Sequence, residues 1–313
     1  MSKLTVALIC GGVSSERAVS LAGGEMVQAA LDPDRYRVFR YDSQTDLARL
    51  VQDAPGIDTA FVNLHGVHGE DGTIQGLLDL LGVPYQCSGV LGSALAMNKL
   101  AAKRVYQQAG LPVPPYRVVS ENRDAGRSFL DAHADALGLP LVVKPACGGS
   151  SIGMSIVKQV SDLAPAVDKA LAHGPDVLLE AYIQGRELTG GVIGNDAPEP
   201  LPVVEIIPGE GHGFFDYEAK YTPGVTSEIC PAPVSEELSA RVRDYACRAH
   251  SALFCKGYSR TDMIATDTDL FVLETNTIPG MGPTSLLPLA AKAAGMTFGD
   301  LLDRLISLSL ETR

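Results

Sequence analysis

The sequence predicts an α/β protein of two or three lobes that opens on a parallel sheet, and three observations carry that expectation. The apolar run at residues 4–9 passes through the turn Cys10-Gly11-Gly12-Val13-Ser14-Ser15 into a helical stretch over residues 16–31, the opening of a parallel strand–helix–strand unit. Near the other end, residues 257–264 and 270–280 are strand-like runs separated by the short polar cluster Ala265-Thr266-Asp267-Thr268-Asp269, which favours an antiparallel hairpin over one continuous element. At 313 residues the chain also exceeds what one small core requires, so it divides into compact lobes.

Composition narrows the function. Apolar residues make up 46% of the chain and charged residues 20%, as in a globular protein. The formal charge of −12 argues against nucleic acid or an anionic membrane as main partner, since phosphate binding by charge needs a basic face. A small anion needs only a local one. The six cysteines, at 10, 87, 147, 230, 247 and 255, contain no Cys-x-x-Cys pair and no short regular spacing, so neither a zinc site nor a disulfide framework is indicated and reduced thiols in the cytoplasm are expected. The first apolar run is short, has no small-residue cleavage site and leads straight to Glu16-Arg17, which favours a buried strand over a signal peptide. No run approaches the ~20 apolar residues of a transmembrane helix.

Taken in order, the first turn does not suit a dinucleotide. Gly11-Gly12-Val13-Ser14-Ser15-Glu16 lacks the third glycine of Gly-x-Gly-x-x-Gly and puts an acid where pyrophosphate would lie. Glu16 reads equally as a first-turn carboxylate downstream of a serine cap. The next strand, at residues 59–63, runs into a glycine-rich loop with His65, His68, Glu70 and Asp71 at a strand's carboxyl end, where open α/β sheets bind ligands. Two histidines without a clear third ligand make a weak zinc claim. A small-residue helix then ends at Met97-Asn98-Lys99, where a lone lysine ordinarily marks a solvated face. Leu111-Pro112-Val113-Pro114-Pro115 is a stiff joint, and a lobe boundary is placed just before it, near Met97.

Residues 127–137 are helical in pattern, and residues 140–144 are a buried strand with Lys144 at its exit. The loop Cys147-Gly148-Gly149-Ser150-Ser151 that follows can bend over phosphates with its N–H groups and hydroxyls, and it is not a Walker A loop because no Gly-Lys-Ser/Thr opens a helix. An apolar strand then breaks into Glu180-Ala181-Tyr182-Ile183. Between residues 208 and 233, glycine and proline around Tyr217-Glu218-Ala219-Lys220-Tyr221 favour a mobile flap. In the hairpin, Glu274 and Asn276 share a strand face, and pairing would bring Asp262 beside them, an all-oxygen set suited to Mg²⁺. Arg260 lies two residues before Asp262 and so on the same face. Met281-Gly282-Pro283-Thr284-Ser285-Leu286 begins a helix whose N–H groups could hold a carboxylate, and residues 297–310 are amphipathic.

These motifs together resemble the D-alanine–D-alanine ligases of the ATP-grasp superfamily. The resemblance rests on Gly11-Gly12-x-Ser14-x-Glu16, on His65-Gly66-x-x-Gly69-Glu70-Asp71-Gly72-x-x-Gln75-Gly76, and on Gly257-x-x-Arg260-x-Asp262 with Leu273-Glu274-x-Asn276-x-x-Pro279-Gly280. It covers essentially the whole chain. It implies a three-lobed ATP-grasp fold with an N-terminal parallel α/β domain, divided into residues 1–97, 98–184 and 185–313. It further implies an enzyme that joins two D-alanines through a D-alanyl phosphate, with ATP as co-substrate and a pair of divalent ions, Mg²⁺ or Mn²⁺, as cofactor, working as a cytoplasmic homodimer.

By the same resemblance, Lys99, Lys144, Ser151, Glu180, Tyr182, Ile183, Glu187 and Lys220 hold ATP, and Asp262, Glu274 and Asn276 hold the metal. His65, Gly280, Ser285 and Leu286 bind substrate, while Glu16, Ser150, Tyr221 and Arg260 are the catalytic set. Glu70 and Asp71 brace their loop. Three departures stand out: Asn98 for an aspartate, Cys147-Gly148 for a charged pair, and Thr261 for an apolar residue. Another carboxylate–amine ligase of the superfamily, or a non-catalytic nucleotide-binding protein on the same fold, remain the alternatives, and the latter is expected to have lost a metal ligand or Arg260.

Overall fold

A computed structural model describes residues 3–120, 127–149, 151–209 and 226–311, and among them the chain forms three sheets. In the first lobe β1 (Leu4–Cys10) lies between β2 (Tyr36–Asp42) and β3 (Thr59–Val62), all parallel. Val6, Ala7, Leu8 and Ile9 are all buried, as a central parallel strand covered on both faces requires, which is why the sequence shows an unbroken apolar run and no alternation.

The second sheet has the order β4 (Tyr116–Ser120), β7 (Asp176–Ala181), β5 (Leu141–Pro145), β6 (Ser155–Val157), antiparallel throughout. Helices Arg127–Leu137 and Leu163–Leu171 contribute Leu130, Ala134 and Val167 to a core shared with Val119, Leu141, Val143 and Leu179.

The third sheet runs β11 (Thr226–Ile229), β10 (Val204–Pro208), β8 (Arg186–Ile193), β12 (Tyr258–Ala265), β13 (Leu270–Asn276), with β9 (Glu199–Pro200) pairing Val192 and Ile193 of β8 on the edge that β10 also pairs. The expected hairpin is β12–β13. Its turn is closed by Thr266, whose N–H donates to Asp269 O at 2.9 Å and whose Oγ1 accepts from the Asp269 N–H at 2.9 Å. The helix Glu236–Ala252 starts on a Ser235 cap, with Oγ accepting from the Leu238 N–H at 3.2 Å, and lays Val242, Ala246 and Ala249 against Leu188, Val192, Met263 and Val272.

The cores do not follow chain order. Helices Val90–Met97 and Lys99–Gln108 put Ala96, Ala102 and Tyr106 into the core of the third sheet. At the other end, helices Leu286–Ala293 and Phe298–Ser309 put Leu287, Leu301, Leu302 and Leu305 into the core of the first. The last helix begins on a reciprocal cap, with the Asp300 N–H donating to Thr297 Oγ1 at 3.1 Å and the Thr297 N–H to Asp300 Oδ2 at 2.9 Å. Sequence boundaries at 97/98 and 184/185 are thus crossed by packing. No helix among the described residues is long and apolar enough to cross a membrane.

Gly257, at the entry to β12, fixes the first lobe against the third. Its φ is +70°, and an added Cβ would lie 1.7 Å from the backbone oxygen of Gln86. Its N–H donates to Asn195 Oδ1 at 2.9 Å, so the backbone cannot simply retreat. Gly257→Ala is therefore expected to lower stability by at least about 1–3 kcal/mol, read as a lower urea midpoint. An unchanged midpoint would mean that the lobes do not meet at this point.

Candidate active site

The hairpin register decides which side chains meet. Across β12–β13, Asp262 stands opposite Glu274 and Arg260 opposite Asn276. Asp262 is buried and accepts two hydrogen bonds from Arg260, Nε to Oδ1 at 2.9 Å and Nη2 to Oδ2 at 2.8 Å. It accepts two more, from Thr189 Oγ1 at 2.6 Å and Asn276 Nδ2 at 3.2 Å. Glu274 lies 3.5 Å from Lys99 Nζ. Burial works against the charge of Arg260, but the Asp262 carboxylate beside it outweighs burial and holds the guanidinium protonated, above its ordinary value.

The donor set fits a hard divalent cation. Two carboxylates and a side-chain amide from one hairpin supply oxygen ligands of the kind Mg²⁺ takes, and both carboxylates already draw cations, Arg260 and Lys99. Among the described residues no group of three or more His, Cys, Asp or Glu is placed to hold a metal, and the side-chain amide oxygen of Asn276 would be the third donor beside the two carboxylates.

One cleft between the second and third sheets is lined by Lys99, Lys144, Ser151, Glu180, Tyr182, Ile183, Glu187, Asp262 and Glu274. Val142, Ile156, Ile264 and Leu273 supply its apolar walls; Leu273 belongs to the hairpin motif but carries no site role in it, and the other three look like ordinary strand alternation. Past Ala181 the chain leaves the β7 ladder, and the Tyr182 N–H turns to Pro140 O at 3.1 Å. Lys144 and Glu180 form a buried ion pair, and Glu180 pairs also with Lys103, which has no exposed surface. Lys103 was not expected. A lysine on a helix reads as solvated, and only its spacing of four from Lys99 puts the two on one face.

The departures from the family pattern have local explanations. Asn98 caps the helix Lys99–Gln108 by accepting from the Ala101 N–H at 2.9 Å, a task an amide oxygen performs as well as a carboxylate. The Thr261 hydroxyl, fully buried, bonds Thr275 Oγ1 at 3.0 Å, which in turn accepts from Tyr106 OH at 2.7 Å. Cys147 is exposed, and Gly148 follows it with φ of +106°.

From the first lobe, Glu70 meets Lys99, Gly149, Glu274 and Asn276 around a second, smaller pocket. Glu70 accepts from the Gly66 N–H at 2.7 Å, and Asp71 from the N–H groups of His68 at 2.8 Å and Thr73 at 3.0 Å, so both acids hold the loop. Glu16 differs from its sequence reading as a first-turn carboxylate. The helix starts after it, at Arg17, and a Cβ added at Gly66 or Gly149 would lie 3.2 or 3.6 Å from its Oε2. His65 is buried, and burial keeps its imidazole neutral by pulling its pKa down. Ser285 Oγ accepts from the Gly282 N–H at 3.1 Å and faces Gly280, and Leu286 is buried just behind. Ser150, Lys220 and Tyr221 lie outside the described residues, as does most of the expected flap.

Comparison with known proteins agrees across the chain. A family model described as D-ala D-ala ligase C-terminus matches residues 105–307, and one described as D-ala D-ala ligase N-terminus matches residues 42–88. The chain is 58% identical over 309 residues to a D-alanine–D-alanine ligase of Syntrophobacter fumaroxidans, covering 99% of this chain and 98% of that one. It is 54% identical to one of Desulfotalea psychrophila, covering 99% and 96%. Among solved structures it resembles a D-alanine–D-alanine ligase of Bacillus anthracis complexed with ATP, with TM-score 0.85, 34% identity and coverage of 98% and 97%. It also resembles the VanG D-Ala:D-Ser ligase of Enterococcus faecalis, with TM-score 0.85, 30% identity and coverage of 98% and 100%.

Glu70 generates a pH prediction. Burial raises its pKa from 4.5 to about 8, against the opposing Gly66 N–H and with the Glu16 charge adding to the rise. A carboxyl whose folded pKa is raised contributes stability in full below its unfolded pKa and loses it as pH rises through the folded one. Unfolding free energy is therefore expected to fall between about pH 4.5 and 8, and Glu70→Gln to flatten that slope in denaturant titrations at several pH values. An identical slope in the variant would place the Glu70 carboxyl in solvent.

Proposed function

Since the chain belongs to the D-alanine–D-alanine ligase family, we propose that the cleft between its second and third sheets drives the ligation with ATP through an acyl phosphate. The enzyme joins two D-alanines for peptidoglycan synthesis. The observation that carries the mechanistic reading is the single cleft in which Lys99, Lys144, Glu180, Glu187, Asp262 and Glu274 converge from separate lobes.

In this reading the apolar walls take the adenine, the backbone past Glu180 meets its edge, and Glu187 meets the ribose. Lys99 and Lys144 neutralise phosphate oxygens, with Lys220 joining them from the flap. His65 and Glu16 hold the first D-alanine, whose carboxylate attacks the γ-phosphorus and displaces ADP. The amine of the second D-alanine, its carboxylate near Ser285 and Leu286, then adds to the acyl carbonyl. Arg260 and the Gly280 N–H stabilise the oxyanion that forms, and its collapse expels phosphate as the amine loses a proton. A divalent ion held by Asp262, Glu274 and Asn276 would supply charge neutralisation between phosphate groups. Ser150 and Tyr221 complete the catalytic set with Glu16, closing the flap against water. We assign two Mg²⁺ or Mn²⁺ ions, a homodimer and a cytoplasmic setting, the last supported by cysteines that are free among the described residues.

Phosphate release from ATP, measured with D-alanine, D-serine, D-lactate and L-alanine, tests the reading. D-Alanine is expected to be much the best substrate, with D-alanyl-D-alanine as product. Equal release without any amino acid would overturn ligation, and preference for D-serine in the second position would move the chain toward the D-Ala:D-Ser activity. Glu274→Gln is expected to cost about 100-fold or more in kcat with an unchanged urea midpoint. Activity like that of the parent at ordinary magnesium would take the hairpin out of the metal site.

A further inference from the structure

Three charged side chains from three elements meet at the wall of the nucleotide cleft, and they are not equivalent. Glu180, on β7, is buried and pairs with Lys144 at the end of β5 and with Lys103 on the helix Lys99–Gln108. Lys144 lines the cleft and Lys103 does not. Lys103 has no exposed surface, and its Nζ stands 5.7 Å from the ring centroid of Tyr116, the residue in register with Glu180 on β4. It reaches the carboxylate without lining the cleft.

We infer that Lys103 is a positioning residue of the ATP site: by keeping Glu180 paired from behind, it frees the Lys144 ammonium to turn to the nucleotide phosphates. The inference rests on the reading that Lys144 and Glu180 hold ATP. Without Lys103, Lys144 would be the only counter-charge of a buried carboxylate, and drawing it toward phosphate would leave that carboxylate bare in a low-dielectric interior. With Lys103 present, the carboxylate keeps one partner throughout. Burial lowers the Lys103 pKa and the Glu180 carboxylate opposes that fall, while the other two charge states agree with the arrangement. Burial pushes the Glu180 carboxyl up, but Lys144 and Lys103 together outweigh it and hold it ionised, below the ordinary range. Burial opposes the Lys144 charge, and Glu180 with Glu274 overcomes it, so Lys144 is held protonated.

The test compares K103M, K103R and K144A with the parent enzyme, by competition of ATP against a fluorescent nucleotide, by KM for ATP and for D-alanine, and by urea midpoint. K103M is expected to weaken ATP about ten-fold or more in both Kd and KM, the scale of one charge-assisted interaction, while KM for D-alanine changes less than about two-fold. K103R is expected to recover most of the loss. The cycle with E180Q makes the same test independent of how well K103M folds: once Glu180 is neutral there is no charge to keep paired, so adding K103M to E180Q should change ATP affinity less than about two-fold. A merely structural lysine would instead lower the midpoint and shift both KM values together, with no recovery by arginine, and that pattern overturns the inference. So does an unchanged ATP affinity in K103M, or a further ten-fold loss on adding it to E180Q. Unchanged ATP affinity in K144A would overturn the ATP assignment of the cleft itself, whereas a weakened K144A beside an unaltered K103M removes only the role of Lys103.

Discussion

The register of β12 between β8 and β13 is the constraint on which the site depends. Because side chains alternate, a strand hydrogen-bonded on both edges commits each residue to one face, and a slip of one position would exchange the two faces entirely. Here one face carries Arg260 and Asp262 toward Thr189, Glu274 and Asn276. The other buries Thr261 against Thr275 and Tyr106. A slipped strand would force two ionised groups into the core and expose a satisfied hydroxyl pair, so the energies of both faces select the same register. That is why Thr261 is compatible with a buried position: its polarity is matched by partners that exist only in this register.

The helix Lys99–Gln108 ties the lobes to that strand. Lys99 reaches Glu274 on the third sheet and the Gly148 carbonyl on the loop of the second. Lys103 reaches Glu180, and Tyr106 reaches Thr275. Spacings of four and three keep all three residues on one side of the helix. Buried ion pairs contribute little net stability because desolvation offsets attraction, so the hold of this helix comes from Ala102 and Tyr106 in the apolar core, and the lysines set where the carboxylates lie.

Much of this was legible in the sequence where local chemistry and pattern agree. The first strand and the hairpin with its polar turn announced themselves by pattern and punctuation, and the final helix by its amphipathic period but not by its cap. The candidate site was legible wherever a motif is contiguous, as in the loop from His65 to Gly76 or the pair Glu274 and Asn276. What stayed hidden depends on partners distant in sequence. Lys103 is an unremarkable helical lysine until Glu180 is folded against it. The amphipathic residues 297–310 declare a buried face but not that the face completes the core of the first lobe. Glu16 reads as a first-turn carboxylate, and only the fold brings Gly66 and Gly149 against it.

The charge balance of the whole chain poses a physical question that the site answers. A protein with a formal charge of −12 gains no long-range attraction for a polyphosphate, so its cations must act at short range. Lys99, Lys103, Lys144 and Arg260 each sit on a carboxylate of the chain itself, Glu274, Glu180, Glu180 and Asp262. Neighbouring carboxylates raise the pKa values of Lys144 and Arg260 against the effect of burial, whereas burial still lowers that of Lys103 although Glu180 opposes it. In the proposed reading an arriving phosphate takes Lys99 and Lys144 from carboxylates already beside them while Lys103 stays on Glu180, which keeps reorganisation small and confines the attraction to ligands that fit the cleft.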